Sequence, residues 1–544
     1  MTRIARAMLR GVALVAAVQL SGCKSPGMQA TADRTTAVPL YNDLGSLHHT
    51  VTASAGAQKY FDQGLRLMYG FNHDEAIASF REGARQDPNC GMCWWGVAAA
   101  LGPNINLPMD SKAGADAWDA TRKAVALAAK LTPAERDYIA ALDQRYAARP
   151  PDNRAPLDSA YAQAMGIVAA KHPDDPDAAT LYAESLMILQ PWSYWTVGGE
   201  PKGAIKEIVA TLEGVVARHP DHPGACHYYI HAVEASLEPE KALPCAERLA
   251  RLMPGAGHIV HMPAHIYMRV GRYDLAVEHN QHAVTQDLWF IHRRHPAGVY
   301  PLIYTTHNYH FLSAALTMQG KGDEAVTAAR AAAKQVSFEV MRQIPPLEYF
   351  APVLYTALAR FERWDEILQQ SEPPAELPYT SGFYHYARGL ALVGTRRLAD
   401  ARAERDALAI IHDAMPPDAM ANLNSMKSLL GIALGHLDAE LARANGKADL
   451  AIRRLRSTVA IEDGLTYDEP PAWYLPMRLA LGDALLAAGR PKEAEEAFRE
   501  DHKRNRENGW ALRGLARALE KQGKQTEAAE VDARFRKAWP QATT

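Results

Sequence analysis

Residues 64–88 read GLRLMYGFNHDEAIASFREGARQDP, and the spacing inside them sets the fold. Gly64 stands twelve positions before Ala76, Phe80 follows four later, and Pro88 eight after that. Two antiparallel helices approach closely only where small side chains face each other, so Gly64 and Ala76 mark a crossing. Phe80 fills the space toward the next helix pair. Pro88 has no backbone N–H and cannot continue a helix, so it ends the unit. The stretch therefore predicts one helical hairpin.

The same register recurs along the chain. Gly482, Ala494 and Phe498 repeat the first three positions, and small residues twelve apart recur at Ala264/Ala276, Ser313/Ala325, Ala387/Ala399, Ala439/Ala451 and Ala516/Ala528. The turns repeat as Gly271-Arg272-Tyr273-Asp274, Gly320-Lys321-Gly322-Asp323, Gly489-Arg490-Pro491-Lys492 and Gly523-Lys524, where a glycine supplies a left-handed helix cap. This pattern resembles the tetratricopeptide repeat. The resemblance implies an all-α fold, an α-solenoid of antiparallel helix pairs running over residues 43–540. Between the repeats the chain still reads as helix: Thr132-Pro133-Ala134-Glu135 is a capping box, and 157–171 and 178–189 carry helical apolar periodicity. No segment alternates with period two for long enough to require a sheet. A closer resemblance covers Asn72 to Pro108, which includes CGMCWWGVAAALGPNINLP, and His258 to Tyr273, HIVHMPAHIYMRVGRY. Both are similar to segments of a group of bacterial tetratricopeptide proteins; this supports the fold and a dedicated pocket and brings no assigned reaction.

The N-terminus reads as a targeting segment. Arg3, Arg6 and Arg10 precede a short apolar run, Gly11 to Leu20, too short to span a bilayer. Leu20-Ser21-Gly22-Cys23 resembles the lipobox of bacterial lipoproteins, which implies a signal peptide over 1–22 and diacylated Cys23 as a membrane anchor. Residues 23–42 are expected to be a flexible tether. Lys24, where sorting signals for the inner membrane carry aspartate, points to the outer membrane, so the expected location is the cell envelope, facing the periplasm.

Charge narrows the partners. The formal net charge is −3 with no long basic run, which argues against nucleic acid. Cys90, Cys93, Cys226 and Cys245 are enough for two disulfides in an exported chain. The Cys90-Gly91-Met92-Cys93 spacing also suits a redox or metal pair. It is not a c-type haem site, because Trp94 stands where a histidine is needed.

The chemistry concentrates between His219 and His310, which hold thirteen of the twenty-one histidines. In the repeat register, His227 and His231, then His258, His261 and His265, then His307 and His310 fall on successive A helices, the helices expected to line the concave face. Residues four apart lie about 6 Å apart along a helix, so His227/His231 and His261/His265 can each share an ion. The expected site joins those two pairs, with His307 and His310 as candidates for a second ion or for substrate contact; His258, a further metal candidate, lies seven residues from His265, so the His258/His261/His265 triplet is not expected to chelate an ion alone. Glu234, seven residues from His227, fits better as a hydrogen-bond acceptor behind a ligand, or as a ligand of a neighbouring site, than as a ligand of the same ion. Pro263 lies inside the motif and leaves the directions of His258 and His261 open. His219 and His222 flank prolines and are expected in an exposed turn, His292 and His295 in a loop. Pro191 to Trp195 reads as an aromatic wall or as a plug against the solenoid.

Three readings stay open at this point. One is an envelope-anchored binding scaffold that takes a protein, peptide or small ligand in a histidine-rich concave groove. Another is a hydrolytic or oxidative metalloenzyme using zinc, iron or copper on several histidines. The third treats the histidines as packing alone.

Overall fold

A computed structural model of the chain describes residues 38–294, 296 and 300–540. The expected signal segment, Cys23 and most of the expected tether lie outside the described residues. The last part of that tether is already joined to the body. The Tyr60 hydroxyl donates to the Val38 carbonyl at 2.9 Å, Gln63 Nε2 to the Pro39 carbonyl at 2.9 Å, and the Tyr41 N–H to Gln63 Oε1 at 2.7 Å. The folded body thus starts ahead of the expected boundary at 43.

Helical pairs follow one another through the chain. They are α1 (Ala55–Tyr69) with α2 (His73–Gln86), α3 (Gly91–Leu101) with α4 (Ser111–Leu127), and α5 (Pro133–Asp143) with α6 (Ala155–Lys171). Next come α7 (Pro176–Ile188) with α8 (Ile205–Arg218), and α9 (Pro223–Val233) with α10 (Leu243–Leu252). Short helices α11 (Gly257–His261) and α12 (Pro263–Arg269) precede α13 (Tyr273–Arg294). Beyond them, α14 (Thr305–Met318) pairs with α15 (Gly322–Gln335), and α16 (Phe338–Gln343), α17 (Pro352–Arg360) and α18 (Trp364–Leu368) follow. The last pairs are α19 (Pro378–Gly394) with α20 (Leu398–Ala414), α21 (Met426–Ala444) with α22 (Ala448–Asp463), α23 (Met477–Ala487) with α24 (Pro491–Arg504), and α25 (Gly509–Glu520) with α26 (Gln525–Ala538). Among the described residues, paired strand is confined to Met420–Ala421 and Asn424–Ser425. No helix among them is long and apolar enough to cross a membrane.

Steric fit at the crossings explains the repeat. The Phe80 ring sits between Gly64 of its own hairpin and Gly96 of the next; a Cβ at either would fall 2.6 or 2.4 Å from the ring. Phe498 sits in the same way between Gly482 and Gly514. The turns share one hydrogen bond, which satisfies a carbonyl that the helix end leaves open. The N–H of Lys321 reaches the Leu316 carbonyl at 3.0 Å, Arg490 reaches Leu485 at 2.9 Å and Lys524 reaches Leu519 at 3.0 Å. The residue before each donor has left-handed φ: Gly320 at 70°, Gly489 at 71° and Gly523 at 77°. Phe71 and Arg396 take the same place at 56° and 62° despite their side chains. Arg396 corrects one expected pair. Ala399 is exposed, whereas Ala401, two positions later, is fully buried, and Gly389 packs against Leu437 of the next hairpin.

Where the sequence predicts one continuous solenoid, the chain divides into two compact units. The first runs to Ile266 and includes Thr285–Ala297; the second comprises Tyr267–Val284 and the residues from Gly298 on. Each closes on itself. In the first, the Gly255 N–H donates to the Asp43 carbonyl at 2.8 Å, and the Tyr69 hydroxyl donates to Asp177 at 2.6 Å. In the second, the indoles of Trp510 and Trp539 donate to the carbonyls of Thr317 and Met318 at 2.9 and 2.8 Å, and the Tyr273 hydroxyl donates to the Arg506 carbonyl at 2.9 Å.

Candidate metal centre

Helix α9 opens on His222, whose Nδ1 accepts the Ala225 N–H at 3.0 Å, with Pro223 in the first turn. His227 and His231 then fall on one face, a helical turn apart. Cys226 and Cys245 are bonded, with Cα atoms 5.1 Å apart, and tie α9 to α10. Downstream, Pro263 separates α11 from α12. His258 and His261 therefore sit on one short helix and His265 on the next. All five histidines are buried, at 0–3% exposure.

Hydrogen bonds fix which nitrogen each ring presents. His227 Nδ1 lies 2.6 Å from the Tyr69 carbonyl oxygen, an acceptor only, so Nδ1 carries the proton and Nε2 is a lone pair. His231 Nδ1 donates in the same way to Glu234 Oε1 at 2.7 Å, and its buried Nε2 has no hydrogen-bond partner. His258 Nε2 lies 3.1 Å from His227 Nε2. One donor atom from each of His227, His231 and His258 lies within 4.8 Å of the other two. Nitrogens bound to one tetrahedral zinc at about 2.0–2.1 Å lie about 3.3 Å apart, so small side-chain shifts complete the set. On the other side of Glu234, Oε2 accepts from His265 Nδ1 at 2.7 Å, and His265 Nε2 faces His261 Nε2 at 2.8 Å. The structure thus brings His258 to His227 and His231, and it also brings His231, Glu234 and His265 within 4.8 Å of one another. Glu234, 1% exposed, stands behind His231 and His265 as their common acceptor.

Burial drives the His227 pKa well below the usual histidine value, and the neighbouring His231 and His265 add to the effect. Burial also lowers His231, against the pull of Glu234. Both rings are held neutral, the form that ligates. Burial works to raise Glu234, but its contacts with His265 and His231 win and keep it ionised. Aromatic rings wall the site. Phe71 lies 4.5 Å from the His227 ring and 5.2 Å from His258, centroid to centroid, and Trp192 meets His231 edge-on at 5.0 Å. Trp195 Nε1 donates to the Ala232 carbonyl at 2.8 Å, so the Pro191 to Trp195 run packs onto the end of α9. Tyr69 and Phe71 escaped the sequence reading. The available signal was an aromatic at the turn position where other hairpins carry glycine.

His307 and His310 lie on α14 in the second unit; His307 is half-buried against Phe311. His310 is buried among Tyr349, Phe350 and Tyr474, and burial pushes it down to about 3. Cys90 and Cys93 are bonded to each other. His222 is not exposed: at 3% exposure it donates to Asp177 Oδ1 at 3.1 Å. His292 ends α13 instead of lying in a loop, and His295 is outside the described residues. Asp177 also accepts from Tyr69 and, at 2.8 Å, from His49. The neighbouring Asp175 caps α7 and accepts from the Tyr138 hydroxyl at 2.8 Å. His49, Asp175 and Asp177 are close enough to hold an ion, but protein donors already occupy the carboxylate oxygens of both aspartates. Beside them is a cavity of about 10 Å³ lined by Trp95, Tyr138 and Phe61, with room for about one water.

No family model matches the chain, and no curated protein matches it. Among solved structures it is similar to the human IFIT1 dimer with m7Gppp-AAAA, at 14% identity over 90% of this chain and 91% of that one, with a TM-score of 0.33. It is also similar to yeast Tom70, at 12% identity over 87% and 90% with a TM-score of 0.29, and to the APC/C hetero-tetramer Cut9-Hcn1, at 12% over 88% and 76% with a TM-score of 0.31. Small residues at the helix crossings, an aromatic between consecutive hairpins and left-handed turns at one fixed register make this chain an all-α fold of antiparallel helix pairs in a tetratricopeptide-like register.

Proposed function

We propose that this chain is a metal-binding tetratricopeptide solenoid of the bacterial cell envelope, whose first unit holds a transition-metal ion on His227, His231 and His258. One observation carries the reading: three imidazole nitrogens from two hairpins converge within 4.8 Å in the protein interior. Two of them, on His227 and His231, are fixed as lone pairs by the acceptors behind their rings. His231 Nε2 is buried with no hydrogen-bond partner among the described residues, which is costly. A cation at that nitrogen removes the penalty. Holding each ligand ring through its other nitrogen is how proteins orient imidazoles toward a metal. The all-nitrogen donor set suits zinc, copper or iron rather than calcium or magnesium. Cobalt titration of the metal-free protein tests this: visible ligand-field bands should grow in to saturation and be missing in His231→Ala. A wild-type protein that stays colourless would end the reading.

The envelope location rests on the lipobox-like Leu20 to Cys23 and on two bonded cysteine pairs, which belong to an oxidising compartment. A protein or peptide partner is a second reading. Val197 and Leu237 favour it: they are 56% and 65% exposed on one loop cluster, with Leu237 against Gly199. The buried histidines would take no part in that contact. Val197→Ser with Leu237→Ser should abolish co-purification of such a partner from envelope fractions; unchanged co-purification would remove this reading.

A further inference from the structure

We infer that His261 and His265 form a second metal position beside the first, so that the first unit binds a pair of ions organised around Glu234. The inference rests on the reading of His227, His231 and His258 as a metal site. It starts from the use of Glu234. Each oxygen of this buried carboxylate takes one imidazole N–H, His231 at 2.7 Å on Oε1 and His265 at 2.7 Å on Oε2. Both rings are thereby set in the same tautomer, and each turns its Nε2 away from the carboxylate. On the His231 side, that Nε2 joins His227 and His258. On the His265 side, it meets His261 Nε2 at 2.8 Å. Glu234 thus orients one imidazole toward each position, with three nitrogens converging at the first and two at the second.

Spacing places the two positions side by side. The His231 and His265 ring centroids are 5.4 Å apart, and those of His258 and His261 are 5.9 Å apart. The helical spacing supports this. His261 and His265, four residues apart, lie about 6 Å apart along the chain and meet, whereas His258 is about 10 Å of rise from His265 and serves the other position. A buried pair of neutral imidazoles can also share one N–H···N bond at this distance, with no metal. The two arrangements differ in how many ions the chain holds.

The test is the zinc content of full-length, tag-free protein, stripped of metal, reloaded with zinc alone and freed of excess by gel filtration. Two ions per chain are expected, falling to one in His261→Gln/His265→Gln and to one in His227→Gln/His258→Gln. Glutamine keeps the polarity and most of the volume, and helical circular dichroism confirms folding; the single variant His261→Gln replaces any pair that misfolds. Copper loading gives a second readout, a dipolar-coupled paramagnetic resonance spectrum in the wild type and an isolated-copper spectrum in either pair variant. One zinc per chain, unchanged by His261→Gln/His265→Gln, would overturn the second position and leave the first standing. Two zinc ions with no copper coupling would overturn their adjacency. No bound zinc at all would overturn the first reading as well.

Discussion

His227 Nε2 and His258 Nε2 lie 3.1 Å apart, although thirty-one residues of chain separate them. The contact depends on a third segment. The Tyr69 carbonyl, from the first hairpin, accepts from His227 Nδ1 and so turns the other nitrogen toward His258. The closure of the first unit, which brings α1 onto α9, is therefore part of the site. A change in the first hairpin can alter chemistry on residues far along the chain.

Glu234→Gln tests the shared acceptor. The amide keeps the shape but loses the negative charge that holds two imidazole N–H groups. Loss of such a partner behind metal ligands lowers affinity about 10–100-fold. Competition with a chromophoric chelator measures this; an affinity equal to wild type would show that Glu234 does not organise the site.

Gly64→Ala tests the repeat geometry. The new Cβ would fall 2.6 Å from the Phe80 ring, which cannot retreat because Gly96 leaves no room on its other side. Overpacking of this kind costs about 1–3 kcal/mol. Urea denaturation should show that loss, and a variant as stable as wild type would place the crossing elsewhere.

The helical frame was readable because its cause is local. A glycine, an alanine and an aromatic at fixed gaps describe one crossing, and the same steric need repeats it. Ala387/Ala399 misled because an alanine-rich chain offers several small pairs twelve apart. The true marker there was a left-handed residue, Arg396, which carries no glycine signature. Helical spacing also put His227 and His231 on one face. It could not assign His258 to them, because the break at Pro263 sets its direction. Nor could it supply Tyr69 and Phe71, which reach the site only through closure of the unit.

Glu184 gives a pH signature. Burial pushes its carboxyl up to about 7, Arg145 pulls against this, and Asp158 adds to the rise. The folded value lies above the unfolded one of about 4.3, so its contribution to stability is full below about pH 4 and is lost as pH rises through about 7. Glu184→Gln should therefore stabilise the protein at pH 8, by an amount on the order of 2–3 kcal/mol, with no gain at pH 4. Denaturation at the two pH values checks the sign; an equal effect at both would contradict it.

Cys23→Ser tests the anchor read from the lipobox-like segment. The variant should leave the membrane fraction and appear in the soluble periplasmic fraction. Continued sedimentation with membranes would place the attachment elsewhere.

The metal content of protein purified without a polyhistidine tag, before and after reconstitution with zinc, copper or iron, tests the central claim most directly. The wild type should hold at least one ion per chain, and His227→Ala/His258→Ala should empty that position while helical circular dichroism stays unchanged. Less than about a tenth of an equivalent in the reconstituted wild type, or undiminished content in the double variant, would contradict a metal centre on these histidines.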